Sequence, residues 1–423
     1  MKNIFYFIIL FLFFTKVQGQ NLLMAKPEDT GMSSLRLTKI DEHLKNHLDQ
    51  KWIHGAVAIV ARNGKIVYSH ANGVSGIGTQ ALKKDDIFRI ASMTKPITTV
   101  AMLILLEEGK YLLDEPVSKY IPEFKNPTVL KDFNPKDTTW TSEPAGTEIT
   151  IRQLLSHTSG IGYGFTNPKT MGAIFSKYKI LDGASTEAAT IAEKVKILAK
   201  LPLNHVPGKA WTYGLGLDVA GYLVEILSGK NYAEFCEERI LKPLKMKDTH
   251  FFRPETDESR LVHVYTEING KVIDAMSFPQ AKGLYFPTRG AKTYLSGGSS
   301  LTSTAGDYIN FMQMILNEGT FEGTRILSRK SIELMKNNQI GEVNFGANGA
   351  KFGLGFSIET DKSAFHKLGS VGRLGWGGFY NTLFWIDPKE KIIAVLMTQI
   401  YPTTHQNDLY EKFENLVYQA ITD

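Results

Sequence analysis

The spacing of apolar side chains divides the chain into a strand-rich beginning, a helix-rich middle and a strand-rich end. Apolar residues recur at helical spacing over residues 34–50, and two β-rich runs follow within residues 56–69. Asn63-Gly64 joins these two runs, and an Asn-Gly pair between such runs is a strong signal for a β-hairpin. A sheet is therefore expected to begin early in the chain.

From about residue 87 to residue 318 the pattern changes to helices separated by long connections rich in proline and glycine. Two of these helices are predicted to begin with a capping box, because Gln153 follows Thr150 and Asp307 follows Thr304 at a spacing of three. The predicted helices cover residues 93–108, 151–157, 186–199, 217–228 and 305–317.

Strand patterns return after about residue 352, at residues 355–359, 377–386 and 392–398, and an amphipathic helix is predicted over residues 407–421. Strands at both ends with helices between them predict an α+β fold, in which one antiparallel sheet is built from both termini and flanked by helices. We expect a single unit over residues 20–423. Its α/β lobe would comprise about residues 20–86 and 320–423, and a large helical lobe would be inserted over about residues 87–319.

Residues 1–19 have the pattern of a secretory signal peptide. Basic Lys2 precedes an apolar run at residues 4–14, and small residues lead to Gly19. The apolar run is too short to span a bilayer, which takes about 20 residues. We expect cleavage near Gly19, a mature chain that starts near Gln20, no stable membrane insertion after cleavage, and export to the periplasm or the extracellular space.

Composition narrows the class of protein. The 423 residues are 43% hydrophobic and 22% charged, which is typical of a globular protein. The formal net charge is +5, and loss of Lys2 and Lys16 with the signal peptide leaves 5 − 2 = +3, which is too small to indicate a nucleic acid or an anionic membrane as partner. Cys236 is the one cysteine, so an intramolecular disulfide is excluded, and its neighbours predict the buried side of a helix.

The first chemical candidate is Ser92 with Lys95, at the start of an apolar helix. Residues three apart lie on one helical face, so the amine can reach the hydroxyl. A lysine in a dry pocket can take the serine proton, or hold its charge beside a base that does so. An N-capping serine followed by a surface lysine would give the same short pattern.

Histidines offer weaker candidates. His43 and His47 lie four apart on the first predicted helix, but no third ligand is near them in the sequence, so we interpret both as solvent-facing. His157 ends a predicted helix, and we expect it to contact that helix C-terminus. No H-E-x-x-H pattern, cysteine pair or Gly-rich phosphate loop occurs, so neither a metal nor a cofactor is predicted.

Several motifs together make the Ser92 pattern specific. In chain order these motifs are Ser92-Met93-Thr94-Lys95, Leu154-Leu155-Ser156-His157-Thr158-Ser159-Gly160, Tyr213-Gly214-Leu215, Gly297-Gly298-Ser299-Ser300-Leu301-Thr302-Ser303-Thr304 and Trp376-Gly377-Gly378. Together they resemble the serine β-lactamase and penicillin-binding-protein superfamily, class C-like, and look closest to family VIII carboxylesterases and related acyltransferases. The resemblance covers roughly residues 35–398 and implies the β-lactamase/transpeptidase-like fold.

The resemblance implies roles for individual residues. Ser92 would be the acylated nucleophile, with Lys95 and Tyr213 handling protons, and the backbone N–H groups of Ser92 and Phe379 would form the oxyanion hole. A phenol is a poor base at neutral pH, but a neighbouring ammonium favours phenolate. Whether Tyr213 or Lys95 acts as the general base stays open at this point.

Two departures from the family pattern point to neutral acyl esters. Leu215 stands where the lactamases have asparagine, so an amide that would bind a β-lactam is missing. Trp376, Gly377 and Gly378 replace the usual Lys-Thr-Gly strand, which removes a cation suited to a substrate carboxylate. The substrate pocket is expected to include these residues together with Leu215 and Tyr163, and further aromatic candidates are Phe165 and Trp211.

The function predicted is therefore an exported serine hydrolase, a carboxylesterase or acyltransferase, with a small-molecule ester or amide as its partner. One alternative is a β-lactamase or D-amino-acid-specific peptidase of the same fold. Another, of a different class, is a non-catalytic relative that binds cell wall or protein. No oligomeric state is predicted.

Overall fold

The computed structural model describes residues 22–76 and 80–423, apart from the side chain of Gln280. The predicted signal peptide, residues 1–19, lies outside the described residues. Within the described part, no helix is long and apolar enough to span a bilayer.

Helices occupy most of the middle of the chain. The last turn of α7 continues as a π-helical segment, Glu237–Leu241. The α-helices of the described part are α1 (Ser34–Asp49), α2 (Thr94–Glu107), α3 (Ile151–Leu155), α4 (Met171–Lys177), α5 (Ile191–Leu198), α6 (Gly216–Ser228), α7 (Tyr232–Cys236), α8 (Ala305–Leu316), α9 (Arg329–Lys336), α10 (Asp361–Ala364) and α11 (Gln406–Tyr418).

Strands are found in all parts of the chain, although the long ones lie near its ends. They are β1 (Gly55–Arg62), β2 (Lys65–Gly73), β3 (Phe88–Arg89), β4 (Thr128–Asn134), β5 (Thr139–Pro144), β6 (Tyr265–Ile268), β7 (Lys271–Asp274), β8 (Thr302–Ser303), β9 (Thr320–Phe321), β10 (Thr324–Arg325), β11 (Lys351–Phe352), β12 (Ser357–Ile358), β13 (Leu374–Gly378), β14 (Thr382–Asp387) and β15 (Ile392–Met397).

The main sheet joins the two ends of the chain. Its seven strands run in the order β11-β12-β13-β14-β15-β1-β2, and all of its strand pairs are antiparallel. The first strand pairs with the last, so that Val57 lies opposite Met397. The predicted α+β class, with an antiparallel sheet assembled from both termini, is confirmed.

Helices cover both faces of this sheet. Alternate residues of β1 point to opposite sides: Val57 and Ile59 enter one apolar core, and Ala58 and Val60 enter the other. The first core contains α2, α6 and α8, and the second contains α1 and α11, which pack against each other. Because β1 is buried on both faces, its sequence is a nearly continuous run of apolar residues.

Local signals fixed several boundaries correctly. Asn63 and Gly64 both have positive φ, 52° and 73°, as a two-residue hairpin turn requires. The capping box at Thr150 and Gln153 is formed in both directions. Thr304 accepts the N–H of Asp307, but the Asp307 carboxylate bonds to the 248–249 segment instead, so the second predicted box is only half formed.

Other element predictions were wrong. The single strand expected over residues 377–386 is a hairpin, because the chain turns at 379–381, where Asn381 has a φ of 63°. Helix α3 ends at Leu155 rather than at residue 157, and α5 begins at Ile191, where Thr190 caps it. The predicted helical segment also contains the hairpins β4–β5 and β6–β7, whose sequences carry little regular apolar alternation.

Candidate active site

Ser92 lies in a tight turn between the short strand β3 and the largely buried helix α2. It is the middle residue of the 3₁₀ turn Ala91–Met93, which follows β3 and leads directly into α2. The preceding Ala91 has a φ of 42°, a left-handed conformation that costs a non-glycine residue about 1–3 kcal/mol. The Ile90 N–H donates a hydrogen bond to Leu301 O at 3.2 Å, and this bond holds the turn against the neighbouring segment. The position of the hydroxyl is therefore set by the fold.

Lys95 lies one turn along α2, with only 1% of its surface exposed. Its Nζ donates to Ser92 Oγ at 3.0 Å and to Gly298 O at 2.9 Å. The amine also lies 5.2 Å from the ring centre of Tyr163 and 4.6 Å from that of Tyr213, within the range of cation–π attraction. These contacts hold the buried amine beside the serine.

Tyr213 reaches the serine from the other side. Its Oη lies 2.5 Å from Ser92 Oγ, so the serine oxygen is hydrogen-bonded to both the phenol and the lysine amine. The Tyr213 carbonyl accepts the N–H of Tyr163 at 3.2 Å. The next residue, Gly214, packs on the Ile161 carbonyl so closely that a Cβ there would clash. The structure thus brings together the three groups predicted to do the chemistry.

A buried carboxylate, Asp218 on α6, completes the polar cluster and was missed by the sequence analysis. Burial raises its pKa to about 6, although the Lys95 charge opposes this shift. Tyr294 Oη donates to Asp218 Oδ1 at 3.5 Å. A Cβ on Gly298 would lie 2.7 Å from both Asp218 Oδ2 and Tyr163 Oη, so only glycine fits between them. The sequence did contain a signal for Asp218, because this acidic residue lies among apolar neighbours in the first turn of a predicted helix.

His157 contacts the C-terminus of α3 through its backbone, because its N–H donates to Leu154 O at 3.4 Å, whereas its side chain takes no part in that contact. Because α3 ends at Leu155, the chain turns before His157, which has a φ of 59° and is buried. Its ring packs edge-on against Tyr213 at 4.9 Å, and neither ring nitrogen has a hydrogen-bond partner among the described residues. Burial, and then the charge of Lys95, hold the pKa of His157 well below its usual value. The His157 imidazole is therefore neutral and packs against the Tyr213 ring.

A cavity of about 380 Å³ opens beside Ser92. At one side the Asp182 carboxylate accepts the N–H of Gly164 at 2.9 Å and of Phe165 at 3.2 Å, which fixes the loop that follows Tyr163. A larger cavity, of about 590 Å³, lies by the β1–β2 turn, away from the serine. The cavity beside Ser92 is lined by Ala91, Ser92, Tyr163, Phe165, Ile180, Leu181, Asp182, Gly183, Ala184, Ser185, Phe286, Ser299, Phe379 and Tyr380.

Only some of the predicted pocket residues line this cavity. Tyr163 does so, as does Phe165. Leu215 does not, because its side chain, 1% exposed, is part of the apolar core at the start of α6. Trp376 and Trp211 lie against the Tyr213 ring, with centres 5.5 and 6.0 Å away, and they support that ring rather than line the cavity.

The glycines after Trp376 bring strand β13 close to the nucleophile turn. Gly377 and Gly378 are not among the described residues that line the cavity. A Cβ on Gly378 would collide with the Ile90 carbonyl, which directly precedes the turn. The following residue, Phe379, lines the cavity with Ser92. The absence of side chains therefore permits the close backbone approach that puts Phe379 beside Ser92.

Comparison with known proteins agrees with this geometry. Protein Rv1367c of Mycobacterium tuberculosis is 32% identical over 369 residues, which cover 84% of this chain and 88% of that protein. Esterase EstB of Burkholderia gladioli is 30% identical over 371 residues, with coverage of 85% and 89%. The solved structure of EstCE1, a hydrolase with promiscuous acyltransferase activity, has a TM-score of 0.74 at 24% identity and covers 92% of this chain and 99% of its own.

A family model described as Beta-lactamase matches residues 40–417, nearly the whole of the described chain. The resemblance found in the sequence motifs is thereby confirmed, and so is the fold that it implied. The chain belongs to the Beta-lactamase family and is a serine hydrolase.

Proposed function

We propose that this protein is an exported carboxylesterase or acyltransferase that forms an acyl-enzyme on Ser92 with small, neutral esters. One observation carries the proposal: Ser92 Oγ lies within hydrogen-bonding distance of both Tyr213 Oη, at 2.5 Å, and Lys95 Nζ, at 3.0 Å, at the edge of a cavity with both apolar and polar lining residues. The names of the relatives support the same chemistry, since EstB is an esterase and EstCE1 is a hydrolase with acyltransferase activity.

The first half of the reaction transfers the acyl group to the enzyme. Ser92 Oγ attacks the ester carbonyl carbon and passes its proton to Tyr213 Oη or to Lys95 Nζ. The N–H groups of Ser92 and Phe379 stabilise the oxyanion of the tetrahedral intermediate, and loss of one such donor typically costs about 10²–10³ in rate. The bond to the leaving oxygen then breaks, and the alcohol departs with the proton that Ser92 gave up.

The second half releases the acyl group. Water or an acceptor alcohol loses a proton to the same base and attacks the acyl-enzyme carbonyl, and Ser92 Oγ regains the proton as it leaves. Water gives a free acid, whereas an alcohol gives a new ester. The Lys95 amine next to the Tyr213 ring stabilises negative charge that develops on the phenol during both transfers.

The lining of the site favours neutral substrates. The aromatic and aliphatic residues Phe165, Ile180, Leu181 and Phe286 give the cavity apolar surface for an acyl chain. Trp376 offers no cation for a substrate carboxylate, and Leu215 offers no amide for a β-lactam. A site without these groups discriminates little in favour of β-lactams.

Covalent labelling and turnover test this function together. Wild-type protein should be labelled at Ser92 by a fluorophosphonate and should hydrolyse p-nitrophenyl esters, whereas Ser92→Ala should do neither. Ser185→Ala is the matched control, because the Ser185 hydroxyl lines the same cavity, whereas the hydrogen bonds of Lys95 and Tyr213 to a serine are to Ser92. Formation of a new ester on addition of butanol would identify acyl transfer.

The two rival functions give different outcomes in the same experiment. Turnover of a chromogenic cephalosporin well above that of the esters would identify a β-lactamase or a D-amino-acid-specific peptidase. Folded protein that a fluorophosphonate leaves unlabelled would support the non-catalytic binding relative and would overturn the proposal. Export would be tested separately, by mass spectrometry of the mature N-terminus, which should begin near Gln20.

A further inference from the structure

Two histidines of α1 and an aspartate of α11 meet on the face of the sheet opposite α2 and Ser92. One ligand atom from each of His43, His47 and Asp408 lies within 4.8 Å of the others. The expectation of solvent-facing histidines was wrong, since His43 is 9% exposed and His47 is fully buried. The third ligand was not visible in the sequence because α11, near the C-terminus, packs onto α1 only in the folded protein.

One nitrogen of His47 and one oxygen of Asp408 face each other without a hydrogen-bond partner among the described residues. The Nδ1 atom of His47 lies 3.1 Å from the backbone O of His43, to which the ring N–H donates. In the neutral ring Nε2 then carries a lone pair, and this atom lies 3.3 Å from Asp408 Oδ2. Both atoms are buried and have no hydrogen-bond partner among the described residues. Two acceptors at this distance repel each other unless a cation or a proton lies between them.

The 3.3 Å separation matches a metal site. Zn²⁺ binds imidazole nitrogen and carboxylate oxygen at about 2.0–2.2 Å in tetrahedral geometry, which places neighbouring ligand atoms about 3.4 Å apart. His43 also has a backbone partner, because its Nε2 lies 3.1 Å from Leu409 O. Ring N–H donation to a backbone carbonyl is the usual way in which metal-binding histidines are oriented, and both rings have it.

The surroundings suit an ion that enters from solvent. Asp408 is 35% exposed, and its other oxygen, Oδ1, pairs with Lys412 at 2.5 Å, so Oδ2 is left for a metal. Burial lowers the pKa of both His43 and His47, which favours the neutral rings that metals bind. The Trp52 ring packs edge-on against His47, with centres 5.1 Å apart, and covers the site on one side.

We propose that His43, His47 and Asp408 bind one Zn²⁺ ion, with water as the fourth ligand. The ion links α1 to α11 and so joins the two ends of the chain behind the sheet. Because the sheet separates this site from Ser92, zinc should raise thermal stability and leave ester turnover nearly unchanged.

Metal titration of the full chain tests the site. After treatment with EDTA and removal of the chelator, the protein should bind one equivalent of Zn²⁺, measured by elemental analysis, and Co²⁺ should give the intense visible absorption of a tetrahedral site. Zn²⁺ should raise the melting temperature, whereas Mg²⁺, which prefers oxygen ligands, should not. Asp408→Asn and His43→Gln should each weaken Zn²⁺ binding at least 10-fold.

Asp41→Asn is the matched control, because this carboxylate also lies on α1 and pairs with a single histidine, His70, at 2.9 Å. It should bind zinc like the wild type. No binding at stoichiometric Zn²⁺, or equal binding by the wild type and both site variants, would overturn the proposal. The His47–Asp408 contact would then be an ordinary ion pair with the proton on Nε2.

Discussion

Replacing Asp218 by asparagine should stabilise the protein by an amount that grows with pH. Burial raises the pKa of Asp218 from 3.8 to about 6, so between these values the folded protein holds a proton that the unfolded chain has lost. The free energy of unfolding of the wild type therefore falls as pH rises through this window, and the cost is constant above it. The shift corresponds to about 3 kcal/mol when complete and to about 1 kcal/mol at pH 4.5.

Asparagine keeps the shape of the side chain and carries no titrating charge. The stability difference between Asp218→Asn and the wild type should thus increase by about 2 kcal/mol from pH 4.5 to pH 7.5. Urea unfolding of both proteins at a series of pH values measures it. Asp114→Asn serves as the control with a nearly constant difference over this range, because a hydrogen bond from Arg152 lowers the pKa of exposed Asp114 and its pH-dependent contribution therefore lies below about pH 4. A difference for Asp218→Asn that stays constant across this range would refute the reasoning.

Three further changes have defined outcomes. Tyr213→Phe should lower kcat/KM for p-nitrophenyl esters by at least about 10²-fold while the melting temperature stays near that of the wild type, and an unchanged rate would make Tyr213 only a packing residue. Gly298→Ala should cost about 1–3 kcal/mol in urea unfolding and also impair turnover, because its Cβ would press on Tyr163 and Asp218; retention of both properties would contradict this packing. Thr150→Ala should lower the free energy of unfolding by about 1 kcal/mol through loss of the α3 cap, without affecting turnover, and a loss of turnover would contradict a purely structural cap.

The site residues that could be predicted from the sequence are those that lie in short motifs. Ser92 and Lys95 share one helical turn, and Tyr213 was found by its family motif, so no knowledge of long-range packing was needed to name them. Asp218 was missed because its importance depends on burial beside residues from two distant segments. The pocket role predicted for Leu215 was wrong for the same reason, since the pattern could not show on which side the start of α6 is buried.

The same distinction holds for the fold. The β1–β2 hairpin was predictable because apolar runs and an Asn-Gly turn lie next to each other. The β4–β5 hairpin was not, because its strands are mostly exposed and its few apolar residues do not alternate regularly along the sequence. His47 and Asp408 show the limit most clearly, as nothing in the neighbourhood of either residue indicates the other.

The pairing of β1 with β15 makes completion of the main sheet depend on a strand that is synthesised much later than its neighbour. Strand β1 leaves the ribosome long before the strand beside it, because Val57 lies opposite Met397. A nascent chain therefore carries an open, apolar strand edge until β15 has been made, and such edges pair readily with other chains. Closing so long a loop is slow, so aggregation competes with folding until β15 has docked. Deletion of the last strand would leave that edge permanently exposed.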